Sequence, residues 1–327
     1  MLARGVNITG WFRFPVSVAP ERIAAYLSDA AIADLRAAGF SFARLSVQPE
    51  FLAPHGKADA GRIALLVRAV ARLRAAGLGV VVVLTQGQRP LDGTALRELW
   101  QALASVLRPL GAAGVFPELL NEPEFATDRT GWAALQRATL AVLRAAWPDA
   151  TVILTGAQWG GVDGLLALEP VDDPNVVYSI HFYEPEVLTS LAAFAPGLDR
   201  AALATLPFPV TTPCAETATD ARTGAVARFY CAQNWNEAAI ARRFRMVQDW
   251  ARRHDAAIVL GEFGAAQPLN APARLAWIGA TRKAAEAAGF SWALWGYDDV
   301  MGFNLPRPVP LRPVLDPAIL RALGLRR

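Results

Sequence analysis

The chain has 327 residues, 54% of them hydrophobic, with a formal net charge of +3, which excludes a disordered polymer. All but two of its 32 cationic side chains are arginine, yet basic and aromatic residues do not interleave in clusters, so no nucleic-acid partner is expected. No apolar run reaches the roughly 18 residues needed to span a bilayer, and no signal peptide is visible.

In chain order, Gly5–Phe12 reads as a first strand. Residues 21–38 carry apolar positions at helical spacing (Ile23, Leu27, Ile32, Leu35), with Gly39 as the stop. Phe40–Val47 is a second strand, and a helix over 60–76 follows. Gly79–Thr85 is an unbroken β-branched run, the pattern of a strand buried on both faces. A helix over 94–108 leads to Val115–Glu124, a strand ending in Asn121-Glu122-Pro123, where proline has no N–H to continue a ladder. Then come a helix over 130–146, the strand Thr151–Thr155 and the strand Val176–Tyr183. A long insertion over about 186–235 has little periodicity. After it, a helix over 236–253 precedes Ile258–Gly264, which carries Glu262 between glycines. A helix over 272–288, the strand Ser291–Tyr297 and a closing helix near 316–323 complete the chain.

Strands starting near 5, 40, 79, 115, 151, 176, 258 and 291, each followed by a helix, point to parallel βα units. Eight such units predict a single-domain (β/α)₈ TIM barrel over 1–327 with a long insertion after strand six. The other architecture for such a pattern is an open doubly wound sheet, but no Gly-x-Gly-x-x-Gly turn or phosphate loop is present.

In a barrel of this kind the site lies at the C-terminal ends of the strands. The sequence delivers Trp11, Arg44, Gln86 (with Gln88 beyond), Asn121 and Glu122, Trp159, His181 and Tyr183, Glu262 and Trp295 there. This is an aromatic, amide-rich rim around two carboxylates, and it suits sugars: C–H faces lie on rings and hydroxyls need short polar partners. Two facing carboxylates suit glycoside hydrolysis, one as nucleophile and one as acid/base. Arg44 and Tyr183 near Glu262 would keep it ionised as the nucleophile, whereas burial and the opposing charge should raise the pKa of Glu122. Glu124, Glu184, Glu186, Glu216, Asp298 and Asp299 are expected to be solvated loop charges, His55 and His254 to be surface residues, and Trp292 to pack internally. No metal or cofactor is expected.

Cys214 and Cys231 both fall in the insertion. They read either as a disulfide or as two unrelated thiols; they lack zinc-site spacing.

These motifs resemble those of glycoside hydrolase family 5, in the clan of retaining (β/α)₈ hydrolases. Asn121-Glu122-Pro123 matches the acid/base motif after strand four, Gly261-Glu262-Phe263-Gly264 the nucleophile after strand seven, and His181-Phe182-Tyr183 the strand-six motif. Arg44, Trp295 and the opening Arg4–Trp11 also match, in the same order. Many members carry a histidine after strand three, where this chain has Gln86 and Gln88. The resemblance implies a bacterial, cellulase-like enzyme acting by retention, endo or exo, on a β-glucan or related β-glycan. It implies an oligo- or polysaccharide as the partner and no cofactor. A transglycosylase on the same scaffold, or a carbohydrate-binding barrel without activity, are the other functions such a rim allows. A monomer in the periplasm or outside the cell is expected.

Overall fold

A computed structural model of the chain describes residues 1–87, 92–124, 129–215 and 220–326. Its eight parallel strands close in sequence order into one barrel: β1 (Arg4–Phe12), β2 (Phe42–Val47), β3 (Gly79–Leu84), β4 (Val115–Glu118), β5 (Val152–Thr155), β6 (Val176–Phe182), β7 (Ala257–Phe263) and β8 (Ser291–Leu294). β8 returns to pair with β1, so the sheet has no free edge. Among the described residues no helix is long and apolar enough to cross a membrane.

The outer core lies between the strands and their helices, and it holds large side chains such as Trp100, Trp147, Trp250 and Trp277. A second, smaller cluster of Phe42, Val81, Phe116, Ile153, Val259 and Ala293, with Leu2 and Val177 against it, fills the lower barrel interior. Side chains of a strand alternate between faces. The inward positions above these residues are Arg44 and Ser46 on β2, Glu118 on β4, Thr155 on β5, and Ser179 and His181 on β6, all buried. The interior thus turns from apolar to charged within one inward step. A hydrophobic plug below leaves the polar groups one direction to face, the mouth at the strand C-termini.

Several elements differ from the sequence expectation. Residues 21–38 form two helices, Pro20–Ala24 and Asp29–Ala38. Ser28 starts the second, its Oγ accepting from the Ala31 N–H. This local cap competes with helix continuation through 25–28. β4 ends at Glu118, four residues before Glu122. The insertion is partly helical, with Glu186–Thr189, Arg200–Leu203 and Ala221–Ala232. The last is poorly amphipathic because its neighbours are other parts of the insertion.

Cys214 and Cys231 form a disulfide, with Cα atoms 6.0 Å apart. It pins the loop before residue 216 to the end of the Ala221–Ala232 helix. On the chain-entropy model a loop of this size contributes about 3 kcal/mol. The insertion is fastened to the barrel through the segment after β7: the Ala266 N–H donates to Thr189 O (2.7 Å), and Asn270 Nδ2 donates to Ala204 O (3.0 Å) and Leu206 O (2.8 Å). The insertion therefore walls the β6–β7 side of the mouth.

Candidate active site

Arg44 is the hub. It is 1% exposed, and its donors reach four strands or strand ends, which only the barrel interior permits. Nε and Nη2 form a two-pronged pair with Glu118 (2.6 and 2.7 Å). Nη2 also donates to Asn121 Oδ1 (2.8 Å), and Nη1 donates to Asn7 Oδ1 (2.8 Å) and Glu262 Oε1 (2.6 Å). Burial works against the charge, but the carboxylates of Glu118 and Glu262 more than offset it, so Arg44 stays cationic.

Glu262 is turned inward by an irregularity in its strand. On β7, Val259 faces the interior, so alternation alone would send Leu260 and Glu262 outward. The β7–β8 register shifts between Leu260 and Phe263, and the β6–β7 register shifts so that His181 pairs with Glu262. Such shifts re-aim a side chain. Asn7 Nδ2 braces the bend by donating to Gly261 O (3.0 Å), and a Cβ at Gly261 would collide with Ser179 Oγ at 2.4 Å. The flanking glycine is therefore there for close approach. Besides Arg44, Glu262 accepts from the Tyr183 hydroxyl (3.0 Å) and lies 3.5 Å from His181 Nδ1. Burial, then the Glu262 charge, push the Tyr183 phenol well above its ordinary pKa, so it remains a donor.

Glu122 sits at φ 47°, a left-handed conformation uncommon outside glycine. Gln158 and Trp159, at φ 58° and 55°, hold the facing turn. The two turns are bonded together: Trp159 N–H donates to Pro123 O (3.1 Å) and Gln158 N–H to Glu124 O (3.2 Å). Strained backbone of this kind persists only where its surroundings fix it. Here the double turn aims Glu122 at His181 Nδ1, 3.0 Å away.

Arg44 Nη2 lies 3.4 Å from His181 Nε2 on the other side of the ring. The guanidinium only donates, so Nδ1 is the nitrogen that carries the proton toward Glu122. One donor atom each from Glu122, His181 and Glu262 lie within 4.8 Å of one another. A spread of up to 4.8 Å is wide for a single ion with bonds of about 2.0–2.2 Å, and Arg44 already holds Glu262.

The charges settle differently from the sequence expectation of a raised Glu122 and an ionised Glu262. Burial holds Glu262 above the usual carboxylate range, against the pull of His181 and Arg44. Burial acts on Glu122 too, but the His181 hydrogen bond and charge outweigh it, so Glu122 lies below that range. The difference is one of exposure and contact: the Glu122 side chain is 30% exposed and that of Glu262 3%. His181 loses proton affinity to burial and regains more from Glu262 and Glu122, so its pKa is raised. Glu122→Gln should therefore lower the His181 pKa, since it removes one of the two carboxylates that raise it. Imidazole ¹⁵N shifts followed through a pH titration measure this, and an unmoved or raised value would contradict the pairing.

The structure brings Arg44, Asn121, Glu122, His181, Tyr183 and Glu262 into one bonded cluster. Asn121 spends its oxygen on Arg44, and its Nδ2 has no acceptor among the described residues. Trp295 lines the β8 side, 8% exposed, and Trp159 stands 54% exposed on the Glu122 side. Gln86 is half-buried after β3 and bonds to none of the cluster; Gln88 lies outside the described residues. Trp11 does not reach the cleft. It is 1% exposed, stacks on Phe12 and Tyr26, and donates from Nε1 to Ile23 O (2.8 Å), because the β1 register shifts beyond Ile8.

Asp298 is no solvated charge either. It is 3% exposed and accepts from Thr9 N and Oγ1 (both 2.9 Å), Gly10 N (2.6 Å) and the Tyr26 hydroxyl. Glu184 is paired with Arg243 at 2.6 Å, and Glu216 lies outside the described residues. Sequence reasoning missed Asn7 and Glu118. Glu118 stands at an inward position two residues beyond Phe116, and a carboxylate there was the available signal.

Residues 3–299 match the family model Cellulase (glycosyl hydrolase family 5). Over 214 residues the chain is 25% identical to Endoglucanase 3 of Fibrobacter succinogenes, an alignment covering 62% of this chain and 32% of that protein. The chain thus spans about a third of that relative's length. Its fold superposes on cellulose synthase subunit Z of Clostridioides difficile with a TM-score of 0.79, at 24% identity and 99% coverage of both chains. On Thermotoga maritima Cel5A in complex with cellobiose the TM-score is 0.78, at 21% identity over 98% of this chain and 97% of that one. These identities speak for the fold, while the family match covers the strands and the whole carboxylate cluster. The chain belongs to the Cellulase family, glycosyl hydrolase family 5.

Proposed function

We propose that the chain hydrolyses β-linked glycans with retention of configuration, through a covalent glycosyl-enzyme. One observation carries this reading: carboxylate oxygens of Glu122 and Glu262 lie within 4.8 Å of each other. Retaining enzymes hold the pair about 5–5.5 Å apart, and inverting enzymes leave roughly 6.5–9.5 Å for a water. A Glu262 oxygen attacks the anomeric carbon as the bond to the leaving oxygen breaks, and Glu122 supplies that oxygen's proton. Glu122, the more exposed of the two carboxyls, takes up that proton from solvent beforehand, and His181 Nδ1 holds it in place at the leaving oxygen. In the second step a water attacks the same carbon, Glu122 takes its proton, and the bond to Glu262 breaks. Arg44 and Tyr183 bind one Glu262 oxygen each, which orients the nucleophile and stabilises it as a leaving group. Asn121 Nδ2 offers the 2-hydroxyl a donor.

The names of the relatives, an endoglucanase and an enzyme crystallised with cellobiose, favour a β-glucan. The Cys214–Cys231 bridge favours an oxidising compartment, periplasmic or extracellular. The test is a panel of β-glucans, mannan and aryl β-glycosides, with the first product followed by ¹H NMR. The β-anomer should form first. Initial release of the α-anomer would exclude retention, and no release from any member would exclude hydrolysis of these glycans.

A further inference from the structure

Arg13, just beyond β1, takes no part in the bonded cluster. No described residue accepts a hydrogen bond from its guanidinium or forms an ion pair with it. Its contacts are aromatic: Cζ lies 4.9 Å from the Phe14 ring centroid and 5.7 Å from that of Trp295. Other arginines around the mouth have committed donors. Arg44 serves Glu118 and Glu262, Arg243 serves Glu184, Arg274 serves the Ala265 and Gly302 carbonyls, and Arg307 serves Thr9 Oγ1 and Asp298 O. A half-buried guanidinium held by rings, with its N–H fork uncommitted, is a ready receptor for a planar anion.

Position decides which part of a ligand it meets. Strands close in order around the barrel, so β8 and β1 stand opposite β4 and β5. Glu122, the proton donor to the leaving group, and exposed Trp159 mark the β4–β5 side as the aglycone side. Trp295 and Arg13 therefore flank the glycon side. Arg13 is also near enough to favour the ionised forms of both Glu122 and Glu262, so it borders the site rather than a remote surface. Phe14, 49% exposed beside it, extends the aromatic surface outward.

On the reading that the chain is a retaining β-glycosidase, we propose that Arg13 is a specificity residue that binds a carboxylate on the glycon side, so that the preferred β-glycans carry acidic sugars there. A neutral chain would leave the guanidinium fork facing water and hydroxyls. A uronic carboxylate offers it two parallel charge-assisted bonds and offsets the repulsion an anion meets from the two catalytic carboxylates.

The test compares cellobiose with the same disaccharide oxidised to a carboxylate at C6 of its non-reducing sugar. Affinities are measured by calorimetry on the Glu262→Gln variant, so that no turnover is needed. The acidic sugar should bind roughly tenfold tighter at low salt, and the advantage should shrink at 0.5 M NaCl. Arg13→Gln should bring its affinity to that of cellobiose, and Arg13→Lys should retain part of the preference. Equal affinities in the parent, no detectable binding of the acidic sugar, or a preference that survives Arg13→Gln would overturn the proposal. Hydrolysis of the neutral panel by the unmodified chain is scored separately, so failure of the glycosidase reading is distinguishable from failure of this one.

Discussion

Glu262→Gln is expected to lower kcat by on the order of 10⁴-fold or more on every β-glycoside the chain cleaves. KM should change little, because the variant removes a bond made only during reaction. The substitution is nearly isosteric, and its carbonyl oxygen can still accept from Arg44, now 2.6 Å from Oε1, so folding should survive. A 2-deoxy-2-fluoro glycoside with a good leaving group supplies a second readout. It should label the unmodified chain on the peptide bearing Glu262 and leave the variant unlabelled. Activity within tenfold of the unmodified chain, or labelling elsewhere, would remove Glu262 from its role and with it the assignment of Glu122.

The second large effect is on stability. Arg44→Met should destabilise the fold by about 3–5 kcal/mol, because it strands Glu118, 1% exposed, without its buried partner. A urea titration followed by tryptophan fluorescence measures the loss. Replacing both members, Arg44→Met with Glu118→Met, should recover part of it, since Glu118 no longer leaves a buried charge unpaired while Glu262 still lacks its arginine. Both variants should be inactive, because Glu262 loses its ion pair in each. A cost below about 1 kcal/mol for Arg44→Met alone would mean that the arginine is held for catalysis rather than for the fold.

Individual residues separate what was legible in the sequence from what was not. The strand order, the eight βα units and the place of Asn121-Glu122-Pro123 follow from patterns along the chain. Trp11 illustrates the limit. Its position at the end of the first strand suggested a rim residue, but a register shift after Ile8 sends it into the helical layer. Asp298 looked like a loop charge, yet the β1 backbone N–H groups it accepts from are 288 and 289 residues away. Arg13 drew no notice because a cation between an aromatic and a proline-bearing loop is ordinary in sequence. Only the absence of a committed acceptor among the described residues makes it unusual.

By itself, the sequence determined the barrel and the family, because hydrophobic periodicity and strand-end motifs are local and each βα unit repeats the same packing problem. The tertiary structure decided the orientation of Glu262, which simple alternation along β7 would have turned outward and which a register shift against β8 turns in. It also decided the charge balance, through Glu118 beneath Arg44 and His181 beside Glu122. Both outcomes depend on contacts between strands far apart in the chain. The pKa of a buried group is set by which neighbours share its low-dielectric space, and one-dimensional spacing does not encode that.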